Sequence, residues 1–491
     1  MFPFRDVEAA EHVETPLSDD MVNALDLWYK MYTNEPPWKS VGGDDSVQTL
    51  NLPALICSEV ARQVLLEVKW NISGKKDENG DATMNPRAEY LKAEFEKLMR
   101  TLRPKLEQAC AAGGMTIKPY PKDDGHIYFD CSTAWSLYPV SFDDDGNLKD
   151  VIFRESYQEG KTYYTRLERH TVTDEGIRIT QRAFESRVRE SIGTPIPLTD
   201  VPQWADVEPD ALLTNTDGQM FGWYKVAAAN NVDINAPMGV AVFHKASEII
   251  KQADIQYSRI LWEYEGSELA VDVDPDALKV NKKTGERELP KLKKRLFRGL
   301  DLGKDDTYQV FSPSIRDASL FSGLNQLFMR IEDNCGLSRG TLSDASSSEA
   351  RTATELRILK QRTYATISDN QTALEACLRD VVRAMDKYAT MYKLAPEGEY
   401  ELSFEWDDSI ITDSSQQLGE RLELLAQGII SKAELRKWYF GETQAQAETA
   451  IKTIQQEAIS QSVDAMLATS MVNSGMGGGT PGGTAGGAPA Q

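Results

Sequence analysis

Residues able to do chemistry are scattered along this chain, and their spacing argues against most reactions. The segment GLDLGKDD, Gly299–Asp306, comes nearest to a phosphate-cradling loop. A Walker loop needs G-x-x-x-x-G-K-[ST], whereas here the glycine spacing is wrong and Asp305 stands where a hydroxyl should hold magnesium. No G-x-S-x-G elbow occurs, and no G-x-G-x-x-G opens a helix after a strand. The acid pairs Asp305/Asp306 and Asp407/Asp408 have the charge for metal-assisted nuclease chemistry, but they sit beside turns and helix starts, where Asp serves as a cap. His12, His126, His170 and His244 are dispersed, without the spacing that puts two ligands on one helical face. Cys57, Cys110, Cys131, Cys335 and Cys377 lack C-x-x-C pairs and read as reduced, mostly buried thiols of a cytosolic setting. The run DDDGN, Asp143–Asn147, lacks the ligand alternation of a calcium loop and is expected to be a hairpin turn. No catalytic residue, metal or cofactor is expected.

Charge is the stronger signal. The 491 residues carry a formal net charge of −22. A protein that grips DNA by neutralising phosphates usually has an excess of Lys and Arg, so either DNA is not the partner or it is not gripped. Acidity that merely favours solubility is the blander reading. Against this background Lys279, Lys282, Lys283, Arg287, Lys291, Lys293, Lys294, Arg295 and Arg298 stand among only two glutamates, a local net of +7. A partner surface and a solvated basic hairpin both fit that island.

The elements that must position these residues follow from periodicity. At 41% hydrophobic content the chain can supply two to four domain-sized units with a sizeable core. No apolar run is long enough for a membrane span, and the acidic N-terminus is unlike a signal peptide. Helices are expected from Ser18, as N-cap, to the Pro36–Pro37 pair, over Leu52–Val68, and from Pro86 to Ala112. Between Met115 and Ser186 the period becomes strand-like, predicting an antiparallel meander. Thr194–Pro237 reads as irregular connection. From Met238 to Gly266, Phe243, Ala246, Ile250, Ala253, Tyr257, Ile260 and Tyr264 form a narrow apolar seam on a helix roughly 40 Å long. Short strands surround the basic island. A second seamed helix follows, with Leu320, Leu324, Leu327 and Ile331 on one face and Gly336 as C-cap. LSRGTLSDASSSEAR, Leu337–Arg351, is expected to be a mobile polar loop. From Thr352 to Leu394 runs the longest helical pattern, about 60 Å, its seam passing from Leu356 through Thr363, Ile367, Asn370, Cys377 and Met385 to Tyr388 and Tyr392. The strand EYELSFEW, helices joined around Gly428 and Gly441, and a disordered Gly-rich tail complete the chain.

This order of elements, together with IRDASLFSGLNQLFMRIEDNCGLSRGTLSD, ARTATELRILKQRTYATISDNQTALEACL and FEWDDSIITDSSQQLGERLELLAQGIISKAELRKWYFGETQAQAETAI, resembles portal proteins of tailed double-stranded DNA bacteriophages, of the type found in siphophages of Gram-positive hosts. The resemblance covers about Ser18 to Ile459 and is most specific from Met238 to Ile451. It implies an α+β portal fold. Residues 1–237 would form the wing, 238–266 and 314–336 the two stem helices, and 267–313 a β-rich clip. Residues 337–351 would be the tunnel loop, 352–394 the long wing and tunnel helix, 395–470 a C-terminal wing strand with crown helices, and 471–491 the tail.

The resemblance further implies a homo-oligomeric ring of about twelve subunits, located at one capsid vertex of the virion and assembled in the host cytoplasm. Double-stranded DNA would pass through it during packaging and ejection. Terminase, the head–tail adaptor, and major capsid and scaffolding proteins would be partners, with no membrane involved. The basic island would fall in the clip, for docking terminase or adaptor, with DNA contact as the competing reading. Ser338, Arg339, Thr341, Ser343, Asp344 and Arg351 would face DNA from the tunnel loop, where Arg351 pairing with a neighbouring acid is the alternative. Two other classes stay open at this point: a different structural virion protein with helical packing, and a metal-dependent nucleic-acid enzyme.

Overall fold

The computed structural model describes residues 4–40, 46–66, 68–75, 85–189, 191–214, 216, 218–267, 314–344, 353–406 and 414–457. Between 270 and 311 it describes five short strands by their backbone course. Asp305, Asp306, Asp407, Asp408, Arg351 and the Gly-rich tail lie outside the described residues. The chain divides into two compact units, Met1–Gly74 with Met84–Asp407, and Lys75–Thr83 with Asp408–Gln491.

The first unit begins with α1 (Phe4–Glu11), α2 (Asp19–Tyr32) and α3 (Leu52–Val64). Ser18 caps α2 by accepting from the Met21 amide, and Met21, Leu25, Trp28 and Met31 are buried at helical spacing, as expected. The helix expected to reach Val68 stops at Val64. Strand β1 (Lys69–Gly74) leaves it to pair antiparallel with β16 (Tyr400–Glu405), more than 300 residues away in sequence, a partner no local pattern reveals. Helix α4 (Pro86–Ala112) starts with Pro at its first turn and ends at Gly113, φ +85°.

The meander forms two sheets. In one, β2 (Gly114–Pro121) lies between β3 (Ile127–Thr133) and β10 (Gly222–Lys225). In the other, β4 (Leu137–Phe142), β5 (Leu148–Glu159), β6 (Thr162–Thr173), β7 (Gly176–Ser186) and β8 (Thr194–Ile196) follow in order, with β9 (Asp210–Leu213) also pairing to β7. DDDGN turns β4 into β5, and the Asp143 carboxylate accepts from the Asp145 and Asn147 amides, so its oxygens hold a turn.

Helix α5 is Ser247–Gly266, about 30 Å long. The continuous helix expected from Met238 does not form, because the Val242 amide is spent on the Cys110 carbonyl and Gly239 abuts the Gly113 backbone too closely for any side chain. Phe243 and Ala246 are still buried, the first just before and the second at the end of a short 3-10 turn, His244–Ala246, that leads into α5. Helix α6 (Asp317–Cys335) returns along α5. Arg316 reaches Glu263 at 2.7 Å, and Gly323 lies beside Gln256, which makes the pair antiparallel.

Between these helices β11 (Ala270–Val273) pairs parallel with β14 (Phe297–Gly299) and antiparallel with β15 (Tyr308–Phe311), while β12 (Lys279–Val280) pairs with β13 (Arg287–Glu288). Helix α7 (Ala353–Met391) spans 39 residues. Its buried line runs through Ile367, Asn370, Leu374, Cys377, Val381, Met385 and Tyr388, whereas Tyr392, one residue past the helix end, is exposed. In the second unit, α8 (Ser414–Ala426), α9 (Lys432–Phe440) and a helix over 444–457 are joined at Gly428 and Gly441, both at positive φ.

One buried charge group ties β2 to β6. Glu168 accepts from Lys118 at 2.5 Å and from His170 Nε2 at 2.6 Å, and Arg166 stands 3.4 Å from its second oxygen. Burial pushes the Glu168 carboxyl up, but Lys118, His170 and Arg166 together hold it well below 4.5. Burial lowers His170 beneath 6.5 despite its bond to Glu168, and its Nδ1 has no partner for a second proton. Both folded-state values lie below the unfolded ones. The folded chain therefore binds fewer protons, and stability falls as pH drops, from about 6.5 for His170 and from about 4.5 for Glu168. His170→Gln should flatten the fall in thermal midpoint between about pH 7.5 and 5.5; a variant with the wild-type slope would refute this placement of the charge.

Candidate functional site

The end of α6, the turn after it and the start of the buried part of α7 form the most densely bonded polar site of the first unit among the described residues. Gly336 closes α6 at φ +69°. A side chain there would meet Thr366 Oγ1 at 2.4 Å, so the residue supplies both the left-handed turn and the close approach to α7. The Thr366 hydroxyl donates to the Gly336 carbonyl at 2.9 Å. Two residues on, the Ser338 amide donates to Thr363 Oγ1 at 2.7 Å, and the Ser338 and Thr363 hydroxyls are 2.8 Å apart.

Glu332 anchors the rest of the turn. Fully buried, it accepts from the Leu342 and Ser343 amides through one oxygen, and from the Ser343 hydroxyl at 2.7 Å through the other. Ser343 Oγ in turn accepts from the Gly340 amide, the Thr341 hydroxyl donates to the Ser338 carbonyl at 2.7 Å, and the Asp344 amide donates to Asn325. Residues 337–344 are thus a fixed turn, and the expectation of a mobile loop is corrected for them. Ser and Thr stand here because their hydroxyls replace the backbone partners that a turn leaves unmet. Ser338 and Ser343, expected to face DNA, are buried inside the turn; Thr341 is half-buried; Arg339 and Asp344 are exposed.

Arg339 and Arg362 each donate to Asp333 at 2.9 Å. Arg339, then Arg362 and Arg330, hold the Asp333 carboxyl below its usual range. Sequence reasoning overlooked Glu332, Asp333, Arg330 and Arg362, which look like ordinary charges on helix surfaces. The spacing Glu332 to Ser343 would signal the anchor only to a reader who already knew the turn's shape.

The other predicted residues divide by segment. On the seam, Phe243, Ala246, Ile250, Ala253, Ile260, Leu324 and Ile331 are buried within one chain, Tyr257, Leu320 and Leu327 are partly buried, and Tyr264 is 40% exposed. In the basic island, Lys279 is in register with Glu288, Arg287 with Val280 and Arg298 with Asp272. Lys282, Lys283, Lys291, Lys293, Lys294 and Arg295 lie outside the described residues.

No group of acids, cysteines and histidines among the described residues could hold a metal ion. All five cysteines are free; burial pushes Cys110 and Cys335 up to about 12, and Cys131 to about 11. No described helix is long and apolar enough to cross a membrane.

The chain is mixed α+β, and its polar site builds a turn after α6. The chain matches the family described as phage portal protein, SPP1 Gp6-like, over residues 28–462, and it belongs to that family. Such proteins are structural and non-enzymatic and form the genome-packaging channel; membership implies an oligomeric ring and passage of DNA. No curated protein matches the chain.

Glu332→Ala should leave two amides and one hydroxyl of the turn without partners, costing about 2–4 kcal/mol. Glu332→Gln, which keeps an acceptor, should cost less. Hydrogen exchange at the Leu342 and Ser343 amides is the measurement, and protection unchanged in Glu332→Ala would refute the anchor.

Proposed function

We propose that this chain is the subunit of a portal ring at one vertex of the capsid, through which the genome is packaged by terminase and to which the head–tail adaptor later binds. The carrying observation is the antiparallel pair α5 and α6, bridged by β11–β15 and followed through the 337–344 turn by the 39-residue α7. In this reading α5 and α6 are the stem and residues 267–313 the clip. Residues 337–351 line the narrowest part of the bore, 352–394 form the wing and tunnel helix, 1–237 belong to the wing, and 395–470 supply a last wing strand and the crown.

Exposed apolar side chains support packing between subunits. Trp262 is 60% exposed near the end of α5, and Phe321 is 47% exposed near the start of α6, alongside Ile315 and Tyr264. Large apolar groups left in water along a helix pair are expected where another helix covers them. A ring of about twelve copies would supply that cover, and capsid and scaffolding proteins would surround it.

The basic island fits acidic surfaces of terminase or adaptor better than a grip on DNA, because continuous phosphate contacts would oppose sliding. Within the turn, burial of Ser338 and Ser343 favours Arg339, Thr341 and Asp344 as the DNA-facing residues, with Arg351 in the segment that follows.

Axial images of the purified protein should show closed rings, formed either directly or on assembly with capsid protein; a chain that builds no ring under either condition would overturn the reading. Changing Lys291, Lys293, Lys294 and Arg295 together to Ser should preserve rings and impair packaging or tail attachment. Rings that package DNA and acquire tails at wild-type levels would remove the docking role of the island.

A further inference from the structure

Helix α1 and the turn after it precede residues 28–462, over which the family is matched, so membership assigns them no role. Three residues of α1 are buried: Phe4, Val7 and Glu11. Phe4 stands edge-on to Tyr138 of β4, ring centres 4.8 Å apart, and with Val7 it closes a small apolar cavity against Tyr138, Val140 and Ile152. The helix lies on the β4–β5 face as a cover with two apolar anchors.

The third buried residue works against that attachment. The Glu11 side chain is only 4% exposed, yet its Oε1 accepts no hydrogen bond. Arg182 of β7 brings its Nε to 3.8 Å and gives an Nη1 hydrogen to the Ala10 carbonyl instead. Arg169 of β6 is already engaged with Asp150 of β5, at 2.9 Å. Burial raises the Glu11 carboxyl above its ordinary range; Arg182, Arg169 and His12 do not offset this, and Asp150 adds to the rise. A carboxylate withdrawn from water without full hydrogen bonding is costly. It escapes that cost by taking up a proton or by leaving the site.

The segment behind α1 is built as a hinge. His12 takes φ +52°, a left-handed turn that ends the helix. Thr15 ties down the far side, its hydroxyl donating to the Pro139 carbonyl at 3.1 Å and its amide to Glu8 Oε1 at 2.8 Å. Beyond it Leu17 is buried and the Ser18 amide donates to Asp233, which keeps α2 in place when α1 leaves. Arg5 and Asp19 form an exposed pair at 3.5 Å that adds little. A helix as short as α1 does not persist alone in water, so its release also unwinds it.

We infer that α1 is a releasable strap over the β4–β5 face: Phe4 and Val7 hold it down, and the buried, incompletely bonded Glu11 keeps it detachable. Release bares Tyr138, Val140 and Ile152 while the strands beneath keep their pairing. Docked α1 takes up a proton at Glu11 more readily than released α1 does. The strap therefore tightens as pH falls and loosens as pH rises through the raised value. A permanent cover would carry an apolar residue or a fully paired acid at this position.

The test is hydrogen exchange of the purified full-length protein, read by mass spectrometry on peptides from residues 4–17 and, as reference, from the buried middle of α4. In the wild type the strap should exchange faster than α4, because it opens without global unfolding. Glu11→Gln should slow exchange in 4–17 several-fold at neutral pH and leave α4 unchanged, and its difference from the wild type should shrink between about pH 7.5 and 5. Phe4→Ala should speed exchange in 4–17 several-fold. Ile152→Cys places a thiol beneath α1 and separates opening of the whole strap from fraying of its end. Alkylation at position 152, located by mass spectrometry apart from the native cysteines, should slow with Glu11→Gln and quicken with Phe4→Ala; Val140→Cys serves if Ile152→Cys misfolds.

Exchange in 4–17 no faster than in α4, equal or faster exchange in Glu11→Gln, a difference between the two that grows as pH falls, or alkylation beneath α1 that neither variant alters would each overturn the inference.

Discussion

A helix of 39 residues cannot bury itself, and enclosing the middle of α7 is the constraint on which the first unit depends. From Ile367 to Ala389 its inner face is buried against β2, β10, α3 and α4. Contact with β10 is so close that a side chain at Gly222 would run into the Cys377 carbonyl at 2.2 Å. The buried amides Asn370 and Gln371 on that face have partners. The Asn370 side-chain oxygen accepts from Tyr224 Oη at 2.7 Å and from the Ala227 amide, and Gln371 reaches the Val64 carbonyl. Such matching is what permits amides in a core, since an unmet buried polar group is costly.

The same rule holds for three buried charges that join separate segments. Arg87, at the start of α4, donates to the Asp386 carbonyl and the Thr390 hydroxyl in the last turns of α7 and to the Pro396 carbonyl beyond it, so one guanidinium ties α4 to the end of α7 and the segment after it. Asp254 on α5 accepts from Trp38 and from the Leu50 amide, and although burial raises its carboxyl, those two bonds tie α5 to the N-terminal segment. Glu332 does the equivalent for the turn between α6 and α7. Breaking any of these leaves a buried group unmet, which makes them points of specificity more than sources of net stability.

Placed on this frame, the electrostatics suit passage. The chain is acidic overall, and the exposed Arg339 and Arg362 are already engaged with Asp333.

Helices and strands were largely legible from the sequence, because periodicity, caps and turns are local. Ser18, Gly113, Gly336 and Gly441 mark their ends in sequence and in structure alike. Family membership was also legible, since it rests on the order of residues over most of the chain. What the sequence could not supply was partnership across distance. The pairing of β1 with β16, the irregular start of α5 at the Gly113–Gly239 crossing, and the burial of Ser338 against Thr363 and of Ser343 against Glu332 all arise where separate segments meet. Serine in a polar run looks like solvent-exposed loop until a buried carboxylate is placed opposite it. Tertiary structure alone put Glu332 and Asp333, neighbours on one helix, to opposite uses: one turned inward to hold a turn, the other outward among arginines.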